Sequence, residues 1–95
     1  MTVKIIIKRT VPPDKEKDLN ILLKQLRNLG MNQPGYISGE TLKNTEKPNE
    51  FLVISTWQSA EDWNRWAQND SRKEIQEKID FLLQAETEYS IYDYA

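Results

Sequence analysis

Residues 51–57, FLVISTW, form the most apolar stretch of the chain, and they are apolar on both faces of a strand. Successive strand side chains point to opposite sides, so Phe51, Val53 and Trp57 share one face while Leu52 and Ile54 occupy the other. Residues 3–9, VKIIIKR, repeat the pattern, with Ile5 and Ile7 set against Ile6. An antiparallel sheet with one face in water alternates cleanly between apolar and polar residues. These strands do not, so both faces of their sheet need cover. Helices of the same chain can supply one cover. A second copy of the sheet is the simplest source of the other, as a two-fold homodimer.

The rest of the chain supplies those helices. Pro12-Pro13 bounds the first strand, and Pro13 suits a first helical turn, where its missing N–H is not needed. Leu19, Leu22, Leu23, Leu26 and Leu29 then recur at helical spacing, and Gly30 with Gln33-Pro34-Gly35 ends the pattern, which predicts a helix over 13–31. A second strand is expected at 36–43, YISGETLK, followed by a hairpin loop in the turn-forming NTEKPNE. Ser59 with Asp62 reads as a capping box for a short helix through about residue 67. Ser71 with Glu74 reads as a second, opening a helix that carries Ile75, Ile79 and Leu82 on one face. Residues 88–94, EYSIYDY, alternate as a closing strand. The order β-α-β-β-α-β, with its second helix broken in two, predicts an α+β, ferredoxin-like sandwich: one domain over 1–95, with a four-stranded antiparallel sheet and the helices on one face. Two such sheets face to face make a dimeric α/β barrel.

Composition narrows the chemistry. The 13 basic and 15 acidic residues are interspersed, for a net charge of −2, so there is no basic stripe for nucleic acid. The chain has neither cysteine nor histidine, which removes disulfides, thiolate chemistry and the commonest zinc and haem ligands. We expect no metal and no cofactor. The opening MTVKIIIKRT holds too short an apolar run for a signal peptide. No run approaches the ~20 apolar residues of a membrane span, so a soluble, cytoplasmic domain is expected.

The segment QPGY at 33–36, opening the second strand, and EFLVISTWQSAEDWNRW at 50–66, joining the third strand to the next helix, resemble the antibiotic biosynthesis monooxygenase family of dimeric α/β barrels. The resemblance spans nearly the whole chain. It implies a cavity in each subunit between sheet and helices. Residues 57–76 are most similar to the haem-degrading branch, whose pattern is close to W-E-S-x-D-S-F-N-N-W with a histidine ten residues later. Trp57, Ser59, Asn64 and Trp66 match it, but the axial histidine position falls on Gln76 and the branch's strand-one asparagine falls on Lys8 or its neighbour. Haem needs a strong axial donor, so these departures argue against haem degradation. The histidines that many other family members carry at the positions of Trp66 and Ser71 are absent as well.

What the resemblance implies instead is a cofactor-independent monooxygenase acting on an electron-rich aromatic such as a quinol or anthrone. Five residues are candidates for binding it. Trp66 would stack on the ring system or donate its indole N–H, Lys8 or Arg9 would stabilise an anionic oxygen, and Asn64 and Gln76 would orient it. Alternation puts Lys8 on the face of Ile6, and Arg9 on the face of Ile5 and Ile7. Trp57 and Trp63 read as core, and the tyrosines of the last strand as packing residues. No nucleophile–base pair is visible. The rival reading is a non-catalytic dimer that binds a small aromatic ligand or serves only as a structural domain. A third, an isomerase or lactone-handling enzyme on the same barrel, needs a proton shuttle from a tyrosine or carboxylate. The first two are separated by whether an enclosed apolar pocket with convergent polar groups lies beside Trp66.

Overall fold

The β-branched run of the first strand stops at the two prolines, and the chain turns there into its first helix. In a computed structural model describing residues 1–95, β1 spans Val3–Thr10, a 3-10 turn covers Pro13–Lys15, and α1 runs over Glu16–Gly30. β2 (Tyr36–Lys43) and β3 (Glu50–Trp57) form a hairpin. The broken second helix is α2 (Ala60–Ala67) and α3 (Asp70–Leu83), and β4 (Tyr89–Asp93) closes the chain. The sheet order is β2-β3-β1-β4 with every neighbouring pair antiparallel. This is the ferredoxin-like α+β sandwich expected from the element order.

Capping decides where the broken helix restarts. Ser59 Oγ accepts from the Asp62 N–H at 3.1 Å, as the sequence predicts for α2. For α3 the expected cap at Ser71 is corrected. Asn69 is extended (φ −64°, ψ 130°) and its Oδ1 accepts from the Arg72 N–H at 3.1 Å. The helix therefore begins at Asp70, and Ser71 is already inside its first turn. An asparagine is as good a cap as a serine, and the one that comes first in the chain takes the role.

Register fixes which side chains face the helices. The inward row of β1 pairs Val3 with Trp57, Ile5 with Ser55, Ile7 with Val53 and Arg9 with Phe51. Val3, Ile5, Ile7 and Arg9 are all buried, whereas Lys8 and Thr10, on either side of Arg9, are exposed. Beneath this row the interior divides in two. Val3, Ile5, Ile7, Trp57, Trp63, Trp66 and Ala67 form an aromatic cluster. Val11, Leu19, Ile75 and Ile79 form an aliphatic one, with α1 leucines leaning on it. Fully burying such a side chain is worth about 2–3 kcal/mol, and Ile5, Leu19, Trp57 and Ile79 are essentially inaccessible. On the opposite face of the sheet, Ile6, Leu52 and Ile54 are only half-buried, and Leu42 and Tyr92 stand exposed.

Candidate functional site

The aromatic cluster does not fill the space it encloses. A cavity of about 100 Å³ lies between the inner face of the sheet and the helices. Its floor is Ile7, Arg9, Val53, Ser55 and Trp57; α1 contributes Leu23, Leu26 and Gly30; Trp63, Trp66 and Arg72 come from α2 and α3. Arg27 and Glu40, which also line it, are exposed and so form its rim.

Local sequence explains the aromatic walls. Trp63 and Trp66 are three apart on α2, hence neighbours on one face. Rings meet edge to face in a chain: Tyr36 with Trp57 at 5.4 Å and 87°, Trp57 with Trp63 at 5.7 Å and 68°, Trp63 with Tyr89 at 5.0 Å and 75°. Aromatic quadrupoles favour this arrangement over face-to-face stacking. Trp66 stands outside the chain, its indole against the last turn of α1 at Gly30. Two other glycines shape β2 and the turn before it. Gly35 has φ +86°, and any side chain there would also run into Asp62; its carbonyl accepts from the Gln58 N–H at 2.8 Å, tying the start of β2 to the end of β3. A β-carbon on Gly39 would lie 2.8 Å from Tyr36 Oη, so the phenol uses the room that this glycine leaves.

Of the three arginines that line the cavity, Arg9 and Arg72 are buried, and neither has an ion-pair partner. Arg9 is 6% exposed and its Nε and Nη2 have no hydrogen-bond partner. Burial pulls its pKa down to about 10, with Asp80 opposing the shift and Arg72 adding to it; it stays charged at neutral pH. Arg72, equally buried, donates from Nη1 to the Ala67 carbonyl at 3.4 Å and lies 5.1 Å from the centre of the Trp63 ring. Its pKa is also lowered, by burial first, with Tyr89 and Asp80 opposing. The Trp63 indole N–H is another buried donor without a partner. No cluster of acidic side chains is placed to hold a metal ion. Chemically, the site offers flat apolar walls and positive charge in a setting of low dielectric, where a charge–charge contact is far stronger than in water.

The five residues singled out in the sequence end up in three places. Trp66 and Arg9 meet in the lining of the cavity. Lys8 points away from the helices, exposed and 3.4 Å from Glu50. Asn64 is on the exposed side of α2. Gln76 belongs to a separate cluster, donating to Thr87 Oγ1 at 2.6 Å and to Asp80 Oδ1 at 3.0 Å, while its own Oε1 is buried without a partner. Among the lining residues outside the five candidates are Tyr36, a tyrosine able to donate a proton, and Arg72, which the sequence reading passes over. Arg72 had left a signal: it is three and seven residues before Ile75 and Ile79, a charge on an apolar stripe.

Residues 2–78 match the family described as antibiotic biosynthesis monooxygenase. Among solved structures, a conserved protein from Methanosarcina mazei Go1 superposes with a TM-score of 0.91 at 23% identity, over 100% of this chain and 94% of that one. SnoaB from Streptomyces nogalater, described as a cofactor-independent oxygenase and solved as a point mutant, gives a TM-score of 0.85 at 15% identity, over 98% and 92% of the two chains. Rv0793 from Mycobacterium tuberculosis gives 0.85 at 14% identity, over 100% and 96%. No protein of curated function matches the sequence.

Proposed function

The chain belongs to the antibiotic biosynthesis monooxygenase family, and on that footing we propose that it is a cofactor-independent monooxygenase acting on an electron-rich aromatic of the quinol or anthrone type. The observation that carries the reading is the cavity itself: aromatic walls with a buried, unpartnered guanidinium at Arg9. The shared fold of SnoaB, described as a cofactor-independent oxygenase, supports it.

The chemistry asks little of the protein. An anthrone loses a proton to solvent and becomes an electron-rich enolate. The enolate passes one electron to O₂, and the radical pair combines to a carbon-bound peroxide. The peroxide anion takes a proton back from solvent, and loss of water then leaves a ketone, so one O₂ converts a CH₂ into a C=O and releases one H₂O. The protein's share is to stabilise the anion and exclude bulk water. In this reading Arg9 holds the anionic oxygen and Trp66 packs on the ring system. Lys8, Asn64 and Gln76 do not line the cavity and take no part. Haem degradation has no donor at position 76, where the amide is engaged with Thr87 and Asp80.

The same reading includes a homodimer closed through the outer face of the sheet. The half-buried Ile6, Leu52 and Ile54 and the exposed Leu42 and Tyr92 support it, because an antiparallel sheet that ended in water would carry polar residues there.

One observation favours a second reading. The cavity has no histidine and no buried carboxylate in its lining, so a non-catalytic site for an aromatic ligand needs nothing more. Oxygen uptake separates the two. With an anthrone substrate and a chelator present, the monooxygenase consumes O₂ one-for-one with substrate at a rate well above buffer, and Trp66→Leu slows it. Saturable binding with uptake no faster than buffer establishes the second reading instead.

A further inference from the structure

Two hydroxyl groups on the inner face of the sheet have protons to give and nothing in the chain to receive them. Ser55 Oγ accepts from Trp57 Nε1 at 3.1 Å. An indole N–H can only donate, so the direction of that bond is fixed and the serine's own proton is left over. Tyr36 Oη neither gives nor takes a hydrogen bond within the chain. Gly39 marks its place, because a β-carbon on that glycine would lie 2.8 Å from the phenol oxygen. Gly39 is paired with Ser55, and Ser55 in turn with the wholly buried Ile5, so all three belong to the row that faces the helices. The β-carbons of directly opposed residues lie ~4.5–5.5 Å apart. The phenol over Gly39 and the hydroxyl of Ser55 are therefore neighbours over one patch of sheet, and Tyr36, Gly39 and Ser55 all line the cavity. Thr41, the other hydroxyl of the lining, is exposed, so its proton reaches water.

Two neutral donors side by side fit an acceptor that has two lone pairs and no proton of its own, which is a carbonyl oxygen. The wall beside them is aromatic, since Tyr36 and Trp57 meet there edge to face at 5.4 Å. We propose that the cavity binds an aryl carbonyl compound, of the ketone or quinone class, with its carbonyl oxygen held by Tyr36 Oη and Ser55 Oγ together. Trp57 is a positioning residue, because its N–H occupies one side of Ser55 Oγ and turns the serine proton elsewhere. This rests on the cavity being the ligand site proposed above, and it adds a second oxygen to the ligand. Arg9 is paired with Phe51, four residues along β3 from Ser55, or ~13 Å at strand spacing. The carbonyl is thus a separate group from the anionic oxygen assigned to Arg9.

The test uses acetophenone and α-methylstyrene, two flat probes of one outline in which C=CH₂ replaces C=O, titrated against the full chain by calorimetry. Tyr36→Phe deletes one donor and weakens acetophenone about three- to tenfold, the range of a single hydrogen bond. It leaves α-methylstyrene unchanged. Ser55→Ala has the same selective effect but melts lower, because the Trp57 N–H loses its acceptor. Tyr36→Phe melts with the parent, as its Oη has no partner in the chain to lose; a phenol with a structural role would melt lower on loss. Ser38→Ala, at an exposed position of β2, changes neither probe. A spectroscopic reading on the parent chain decides the matter even if a variant fails to fold. With acetophenone labelled with carbon-13 at the carbonyl, the bound resonance lies downfield of its position in cyclohexane, and Tyr36→Phe moves it part of the way back. A bound resonance at the cyclohexane position overturns the hydroxyl pair, as does an equal loss of both probes in Tyr36→Phe; in either case the aromatic cavity stands. Binding of neither probe overturns the carbonyl site, and if an anthrone still drives oxygen uptake the monooxygenase reading survives that result.

Discussion

Val11, Leu19, Ile75 and Ile79 close one end of the space between sheet and helices, whereas Trp57, Trp63, Trp66 and Arg9 leave the other end partly open. The two ends rest on the same sheet and are covered by helices of the same short chain. Their materials differ. Branched aliphatic side chains from α1 and α3 interdigitate at the close packing of protein interiors. At the other end aromatic rings meet edge to face at 5.7 and 5.0 Å beside the gap, and Arg9 and Trp63, which border it, have polar atoms left over. One end makes the fold stable. The other gives up packing and hydrogen bonds, and that is where a ligand gains by supplying them.

If the ends divide the labour in this way, substitutions should separate stability from binding. The greatest loss of stability is expected at Ile79, which is wholly buried. Ile79→Ala should cost about 3 kcal/mol in denaturant unfolding, while the folded fraction binds aromatic probes as before. Trp66→Leu should cost less, about 2 kcal/mol, since one side of the ring already faces empty space, yet it should weaken an aromatic ligand more than any change at the aliphatic end; calorimetry on the same variant checks both. Gln76→Ala should cost about 1 kcal/mol or less, because the lost hydrogen bonds to Thr87 and Asp80 are partly offset by removing a buried, unpartnered Oε1. At the bottom of the scale, Asn64→Ala should stay within about 0.5 kcal/mol and leave binding unchanged, as exposure on α2 dictates. An Asn64 variant that lost ligand would undo this division, because it would put binding outside the cavity.

The aliphatic end was legible in the sequence and the aromatic end only partly so, for physical reasons. A leucine stripe at helical spacing has one meaning, and strand alternation has another: together they placed Leu19 on the apolar face of its helix and set Arg9 and Lys8 on opposite faces of β1. Ser59 announced α2. What sequence periodicity cannot convey is how rings tilt. Trp63 and Trp66 share a helix face, but whether they fill the space beside them depends on inter-ring angles set by Tyr36, Gly39 and Tyr89, which are brought in from other strands. Arg72 was missed because a charged residue in a first helical turn ordinarily faces water; its place on the Ile75–Ile79 stripe was the contrary signal. Gln76 stands beside that stripe, and its partner Thr87 comes from the connection after α3, whose course depends on the left-handed turn at Gln84 (φ 53°).

Whether the aromatic end is a ligand chamber can be read from its own fluorescence, since Trp57, Trp63 and Trp66 all line the cavity and are the only tryptophans of the chain. A polycyclic phenol titrated into the protein under nitrogen, so that no turnover occurs, should quench indole emission along a saturable curve, shifted to weaker binding in Trp66→Leu and superimposable on the parent in Asn64→Ala. Quenching that rises linearly without saturation, with the slope given by free tryptophan, would contradict a chamber and leave the cavity as a flaw in packing.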